Sequence, residues 1–185
     1  MGRAASARQS LEEYLRWEST QTVRHDFWRG EVYAMTGGSL RHNRATLATA
    51  MTLQRHLQDT PCQVFVSDVR VAVDAAQHWF YPDVVVTCDP QDLDDPDATA
   101  LRAPVLVLEV LSPSTAAYDR GEKFLSLQRL PSVREYALLD PARLRLEVFR
   151  RNAEGRFEHH VVEGIQAEAE LTSIGWRGPL SALLG

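Results

Sequence analysis

The stretch PVLVLEVLSPST, from Pro104 to Thr115, decides the fold that we expect for this chain. Its opening residues form an apolar run that only Glu109 interrupts. Such a run is typical of a strand that is buried on both faces of its sheet. An ionised carboxylate in that position is costly unless it is paired or bound to a cation. Glu109 is therefore a candidate site residue, although an ion pair with one of the chain's many arginines is a structural alternative.

Helical and strand patterns both surround this run. A capping box of Ser10 and Glu13 predicts a short helix, and apolar residues at helical spacing predict a longer one from Ser39 to about Asp59. A third helix is predicted directly after the Glu109 strand. Further strands are predicted at 22–37, 62–74, 78–89 and 133–163. We expect a single domain over residues 1–185, of the α/β (α+β) class, with a central mixed β-sheet flanked by helices.

Composition narrows the possible classes of protein. The net charge of −5 removes any argument from overall basicity for nucleic-acid binding. No apolar run approaches the length of about 20 residues that a bilayer needs, so we expect no membrane partner. The sequence has two cysteines, Cys62 and Cys88. We interpret them as buried thiols in a reducing compartment, which predicts a cytoplasmic protein.

Asp83 is a second candidate acid. It follows Pro82 at the head of the apolar run VVV, and proline marks an edge or a bulge of a sheet. An aspartate that simply faces water at a strand entry is the alternative. Acids on two strands of one sheet can converge on a hard divalent cation, and Mg²⁺ favours a few carboxylates together with water and substrate phosphate.

Lys123 is the only lysine among 20 basic residues. An ammonium can lose its proton, whereas a guanidinium effectively cannot. Asp119 stands four residues earlier on the predicted helix and so shares its face, which allows either a plain surface ion pair or a lysine held at the end of the Glu109 strand. Two carboxylates, a divalent ion and one lysine can orient water and stabilise a pentacovalent phosphate.

Three stretches together carry a family resemblance: YPDVVV, then LVLEVLSPSTAAYDRGEK, then REYALLDP. With RGEVYAMTGGSLRHN and VFVSDVRVAVD, they resemble the Uma-two family of restriction-endonuclease-like proteins, within the PD-(D/E)XK nuclease superfamily. The resemblance runs from about Leu11 to the C-terminal region. It implies a restriction-endonuclease-like core and a Mg²⁺-dependent (or Mn²⁺-dependent) endonuclease that hydrolyses phosphodiester bonds of DNA.

The resemblance also implies roles for particular residues. Asp83 matches the aspartate of the PD element and Glu109 the acid of the second element. The superfamily's usual lysine position is occupied by Leu111, and the matching lysine is Lys123 on the following helix. Glu31 resembles an additional N-terminal acid. These matches imply Asp83, Glu109, Lys123 and Glu31 as catalytic residues, with the three acids as metal ligands.

Auxiliary positions are less defined. His42 opens the long helix, Asp119 can hold Lys123 in place, and the hydroxyl of Ser112 can orient Glu109 or cap its turn. Three arginines are candidates for contacts with the DNA backbone, although nothing in the sequence brings them together: Arg41, Arg44 and Arg120. Because superfamily members often pair, a homodimer is a further expectation.

Two other readings stay open at the level of sequence. The chain can be a non-catalytic nucleic-acid-binding or regulatory module that retains the nuclease fold. It can also be a structural protein in which Glu109 is a paired core acid. Loss of metal binding in a Glu109→Gln variant separates the structural reading from the other two.

Overall fold

A computed structural model describes residues 2–3, 8–35 and 38–185, with side chains from residue 8 onward. The α-helices are α1 Leu11–Glu18, α2 Leu40–Leu57, α3 Pro90–Leu93, α4 Ala116–Tyr118, α5 Phe124–Leu127 and α6 Ser181–Leu184. A π-helical turn, Asp119–Lys123, joins α4 to α5. In the part of the chain so described, no helix combines the length and apolar character needed to cross a bilayer.

The strands lie in three sheets. They are β1 Gly2–Arg3, β2 His25–Trp28, β3 Glu31–Ala34, β4 Gln63–Val66, β5 Arg70–Val73, β6 His78–Phe80, β7 Val84–Thr87, β8 Ala100–Leu101, β9 Pro104–Val110, β10 Glu135–Asp140, β11 Arg145–Arg151, β12 Phe157–Glu163, β13 Glu168–Leu171 and β14 Trp176–Pro179. The first sheet has the order β1-β3-β2-β6-β5-β8, and the second has the order β12-β11-β10-β9-β7-β4. β13 and β14 form a separate hairpin.

The second sheet confirms the mixed α+β class and explains the apolar run at Glu109. β9 lies inside this sheet, parallel to β10 and antiparallel to β7. Helices α2 and α6 cover one face through a core that includes Leu53, Leu106 and Leu183. The first sheet and α5 cover the other face through residues such as Phe80 and Val107. A strand enclosed in this way needs apolar side chains on both faces.

Local helix signals are confirmed. Ser10 and Glu13 make the reciprocal hydrogen bonds of a capping box at the start of α1. Ser39 caps α2 by accepting a hydrogen bond from the backbone N–H of His42. The C-terminal tail docks on α2, where Thr49 Oγ1 donates to the carbonyl of Leu183 at 2.9 Å.

Sheet assignment departs from the sequence prediction. The segment 62–74, whose pattern predicts a strand pair or one bent strand, forms β4 and β5, and these lie in different sheets. Likewise, β6 and β7 were predicted as one strand interrupted by Pro82, and the chain crosses from the first sheet to the second at that proline. Residues 36 and 37, which end the predicted strand pair at 22–37, lie outside the described residues.

The cysteines are paired, so the prediction of free thiols is wrong. Cys62 and Cys88 form a disulfide. The reason is the register of β4 and β7, which are antiparallel with Gln63 opposite Thr87 and therefore place the two cysteines face to face. The cysteines no longer indicate a reducing compartment.

Reduction of this disulfide is expected to lower the free energy of unfolding by about 2–4 kcal/mol, because the intact bond closes a loop and so restricts the unfolded chain. Urea titrations with and without dithiothreitol measure the change. A Cys62→Ser/Cys88→Ser variant serves as the control and should be insensitive to the reductant. Equal stability of the oxidised and reduced wild-type chain would contradict the expectation.

Candidate functional site

A cavity of about 280 Å³ lies where the two six-stranded sheets meet. Its walls come from the first sheet, the start of α2, the facing ends of β7 and β9, and the segment that follows β9. The lining residues are Asp26, Ala34, Met35, Gly38, Ser39, His42, Asp83, Glu109, Ser112, Pro113, Ser114, Thr115, Tyr118, Asp119 and Lys123. Most of the residues implied by the family resemblance are therefore together here.

Asp83 and Glu109 are neighbours across two strands. In the antiparallel pair β7–β9, Val84 stands opposite Leu108, so Asp83 falls opposite Glu109. The backbone N–H of Asp83 donates to Glu109 Oε2 at 3.4 Å, and the N–H of Val110 donates to Asp83 Oδ2 at 2.8 Å. These backbone contacts hold the two carboxylates side by side.

Lys123 completes this cluster from the π-helical turn. Its Nζ lies 2.8 Å from Glu109 Oε1 and 3.9 Å from Asp119 Oδ1, and the side chain is buried. The contact is an ion pair between the ammonium and the Glu109 carboxylate. Leu111, at the usual lysine position, packs in the core instead. A π-helical turn is frequent at functional sites.

Burial dominates the electrostatics of the cluster. It raises the pKa of Glu109 well above the usual range, despite the nearby charge of Lys123. It also raises the pKa of Asp119. Burial by itself would lower the pKa of Lys123, but Glu109, Asp26 and Asp119 outweigh it and hold that pKa above its ordinary value. The pocket is rich in acids, and its ammonium stays protonated.

His42 contacts the first acid. Its Nε2 lies 3.0 Å from Asp83 Oδ1, and this hydrogen bond raises the pKa of the imidazole. Gly38 leaves room for the ring, since a Cβ at that position would lie 2.5 Å from His42 Cδ2. The contact joins the start of α2 to the carboxylate of Asp83.

The remaining auxiliary residues differ in what they contact. Ser112 Oγ lies 3.0 Å from the hydroxyls of Ser114 and Thr115, so it organises the turn after β9. Asp119 lies near Lys123, as expected, but at the edge of ion-pair distance. Arg120, a candidate for contact with DNA, donates to Glu147 at 2.6 Å on the second sheet.

Glu31 lies on β3 opposite Trp28, and its Oε2 accepts a hydrogen bond from Tyr33 at 2.6 Å. It is not among the described residues that line the cavity. The acid that the first sheet contributes is Asp26, which the sequence analysis missed. Its signal was available, since it is a charged residue within the otherwise aromatic-rich strand HDFW.

Asp26 belongs to a buried polar network beside Lys123. Its Oδ1 accepts from the N–H of Tyr81 at 2.9 Å and its Oδ2 accepts from Tyr118 at 3.3 Å. Tyr118 in turn lies 2.6 Å from His78 Nε2. Burial raises the pKa of Asp26 to about 6. Burial and the charge of Lys123 lower the pKa of His78 to about 3, so this histidine is neutral.

Asp26 should therefore make stability depend on pH. The folded chain keeps Asp26 protonated up to about pH 6. In the unfolded chain the carboxyl ionises near pH 4, so folding takes up a proton between about pH 4 and 6 and stability falls as pH rises through that window. Relative to Asp26→Asn, the wild type should lose on the order of 2–3 kcal/mol between about pH 4 and 7. Urea titrations of both chains in EDTA measure this difference, and parallel pH profiles would contradict it.

Comparison with solved structures shows a nuclease-like fold. The chain superposes with a TM-score of 0.79 on a crystal structure from Anabaena variabilis described as "a putative nuclease belonging to DUF820". The superposition covers 95% of this chain and 97% of that one, at 16% sequence identity. At this identity the likeness concerns the fold alone.

The chain belongs to the Uma2 family, described as "Putative restriction endonuclease", which matches residues 11–181. Two relatives from Synechocystis sp. strain PCC 6803 are similar over most of their length. "Uncharacterized protein slr1290" is 36% identical over 168 residues, which are 90% of this chain and 86% of the relative. "Uncharacterized protein sll1609" is 32% identical over 160 residues, which are 86% and 90% of the two chains.

Proposed function

We propose that this protein is a metal-dependent endonuclease that hydrolyses phosphodiester bonds of DNA at the cavity of Asp83, Glu109 and Lys123. One observation carries the proposal: two acids on adjacent strands and the chain's single lysine share one cavity, with Lys123 Nζ 2.8 Å from Glu109. A purely structural role for Glu109 would not need a second acid and an open cavity beside it. Membership of the Uma2 family supports the same class of activity.

The donor set suits Mg²⁺ or Mn²⁺. Asp83 and Glu109 supply carboxylates on adjacent strands of one sheet. Among residues 8–35 and 38–185, no three His, Cys, Asp or Glu side chains form a metal site by themselves. Mg²⁺ is commonly held by one or two carboxylates with water and substrate phosphate. When bound, such an ion polarises a phosphoryl oxygen and acidifies a bound water.

Residues of the chain itself would stabilise charge at the site and hold the two carboxylates in place. Lys123 stays cationic among its acids, so it offsets negative charge on the phosphate and does not act as a base. His42 and the N–H of Val110 hold the carboxylate of Asp83 in place. Glu109 is fixed between Lys123 and the N–H of Asp83. This fixed arrangement supplies charge stabilisation without reorganisation during the reaction.

The test is cleavage of plasmid and linear DNA by the purified chain in Mg²⁺ or Mn²⁺, with EDTA as the metal-free control. We expect cleavage only with the metal, and loss of cleavage in Asp83→Asn, because the substitution removes one of the two proposed ligand charges. Metal-dependent cleavage that persists in Asp83→Asn would overturn the site. A wild-type chain that binds DNA and Mn²⁺ without cleaving would favour the non-catalytic binding module.

A further inference from the structure

An arginine–aromatic ladder runs along the face of the first sheet that carries α1. It consists of Arg24, Tyr81, Arg70, Trp79 and Arg102, in that order. Arg24 and Arg70 each lie 5.8 Å from the ring centre of Tyr81. Arg70 and Arg102 lie 5.6 Å and 5.4 Å from the ring centre of Trp79. Each ring is therefore shared by two guanidinium groups.

Each guanidinium group uses only part of its polar edge for hydrogen bonds within the described residues. The rings of Trp79 and Tyr81 are buried, while the side chains of Arg24 and Arg102 are 44% and 59% exposed. A guanidinium group that stacks on a ring uses its flat face, and its N–H donors point outward in the plane. Packing also restricts the arginine rotamers, which lowers the entropy cost of binding a ligand. The ladder is thus a stiff row of cationic donors.

The charges of the ladder are only partly neutralised. Arg24 pairs with Asp68 at 3.0 Å, and Arg102 pairs with Asp74. Arg70 donates to the carbonyl and hydroxyl oxygens of Thr99, and no carboxylate among the described residues forms an ion pair with it.

More arginines continue the basic surface beyond Arg102. Arg8 and Arg29 line a second cavity, of about 640 Å³, together with Arg102 and Trp79, and Asp74 is the acid among the described residues of its lining. This face therefore carries five arginines against the carboxylates of Asp68, Asp74 and Glu18, on a chain whose net charge is −5. A local basic face of this kind is the electrostatic footprint of a polyanion partner.

The other end of the ladder lies at the end of the first sheet, near residues that contact the lining of the candidate cavity. The carbonyl of Arg24 accepts a hydrogen bond from the N–H of Met35, which lines that cavity. The N–H of Tyr81 donates to Asp26, which lines it as well. A polymer that lies along the ladder would pass this end of the sheet to reach the two acids and Lys123 on its opposite face.

We propose that the ladder binds the sugar–phosphate backbone of DNA and leads it to the cavity. The inference rests on the proposed function, because it identifies the same polymer as substrate. Arginine matches phosphate with bidentate hydrogen bonds, and such contacts add affinity without reading base sequence. The ladder explains how an acidic chain binds an acidic polymer.

The test measures binding apart from cleavage. A short fluorescein-labelled duplex is titrated with the full chain in EDTA, and fluorescence anisotropy is followed from about 50 to 200 mM salt. The Arg24→Gln/Arg70→Gln variant should bind about tenfold or more weakly, and its slope of log K against log salt should be shallower by about 1–2. The control Arg177→Gln removes an arginine of the β13–β14 hairpin that is 62% exposed, and should leave binding unchanged.

Folding and catalysis are controlled separately. Thermal unfolding reports whether the double variant is intact, and Arg24→Gln alone, at a half-exposed side chain, keeps the test valid if it is not. Wild-type affinity and slope in the ladder variants would overturn the ladder, and so would failure of the wild-type chain to bind the duplex. Loss of binding in the variants of a chain that never cleaves would support the ladder and reject only the hydrolytic function. Cleavage by a wild-type chain whose ladder variants bind DNA as well as it does would support the hydrolytic function and reject the ladder.

Discussion

Replacement of Glu109 by glutamine is expected to lower metal-dependent cleavage by about 10³-fold, which corresponds to roughly 4 kcal/mol of transition-state stabilisation. Glutamine keeps the shape of the side chain and removes its charge. The lost charge is one of the two carboxylates that we propose as metal ligands, and it lies 2.8 Å from Lys123. Isothermal titration with Mn²⁺ should show loss or strong weakening of the binding event in the same variant.

Glu147→Gln is the matched control. Glu147 is also a buried glutamate of the second sheet, at 5% exposure against 4% for Glu109. Its partners are Arg120, Arg145 and His159, and it is not among the described residues that line the cavity. We expect this variant to cleave like the wild type if it is folded by circular dichroism. Equal loss of activity in both variants would mean that a buried carboxylate matters for stability alone. Full activity in Glu109→Gln would reject the proposed site.

Lys123→Met is expected to lower the free energy of unfolding by about 3–5 kcal/mol, because it leaves buried acids without their cation. Lys123 is the cation nearest to Glu109, and it also lies near Asp119. Urea titration in EDTA measures the loss. The variant should also fail to cleave DNA, since its cavity no longer offsets the charge of the phosphate.

A double-mutant cycle tests whether Lys123 stabilises the fold by compensating the charge of Glu109. In the Glu109→Gln background, Lys123→Met should cost less, with a coupling energy of about 0.5–3 kcal/mol, because one of the uncompensated acids is already neutral. Additive effects of the two substitutions would show that the pair does not interact. The stability loss of Lys123→Met, measured by urea titration, should likewise be smaller at low pH, where the acids of the cavity are protonated.

The features that local sequence predicted are those with a local cause. Glu109 stood out because it breaks an apolar run, and the run is apolar because β9 is covered on both faces. The caps of α1 and α2 depend on residues three positions apart. Lys123 stood out because it is the only lysine in the sequence, and the family resemblance linked it to Asp83 and Glu109.

Contacts between segments that are far apart in the sequence could be identified only from the folded chain. Asp26 lines the cavity, and Glu31 is not among its described lining residues, although both lie on the same face of the first sheet, because they stand at different positions along the paired strands. The pairing of Cys62 with Cys88 has the same origin, since it follows from the antiparallel partnership of β4 and β7. Periodicity along a strand identifies its faces but not its neighbours. Which acids converge, and which arginines share a ring, is decided only when the sheets assemble.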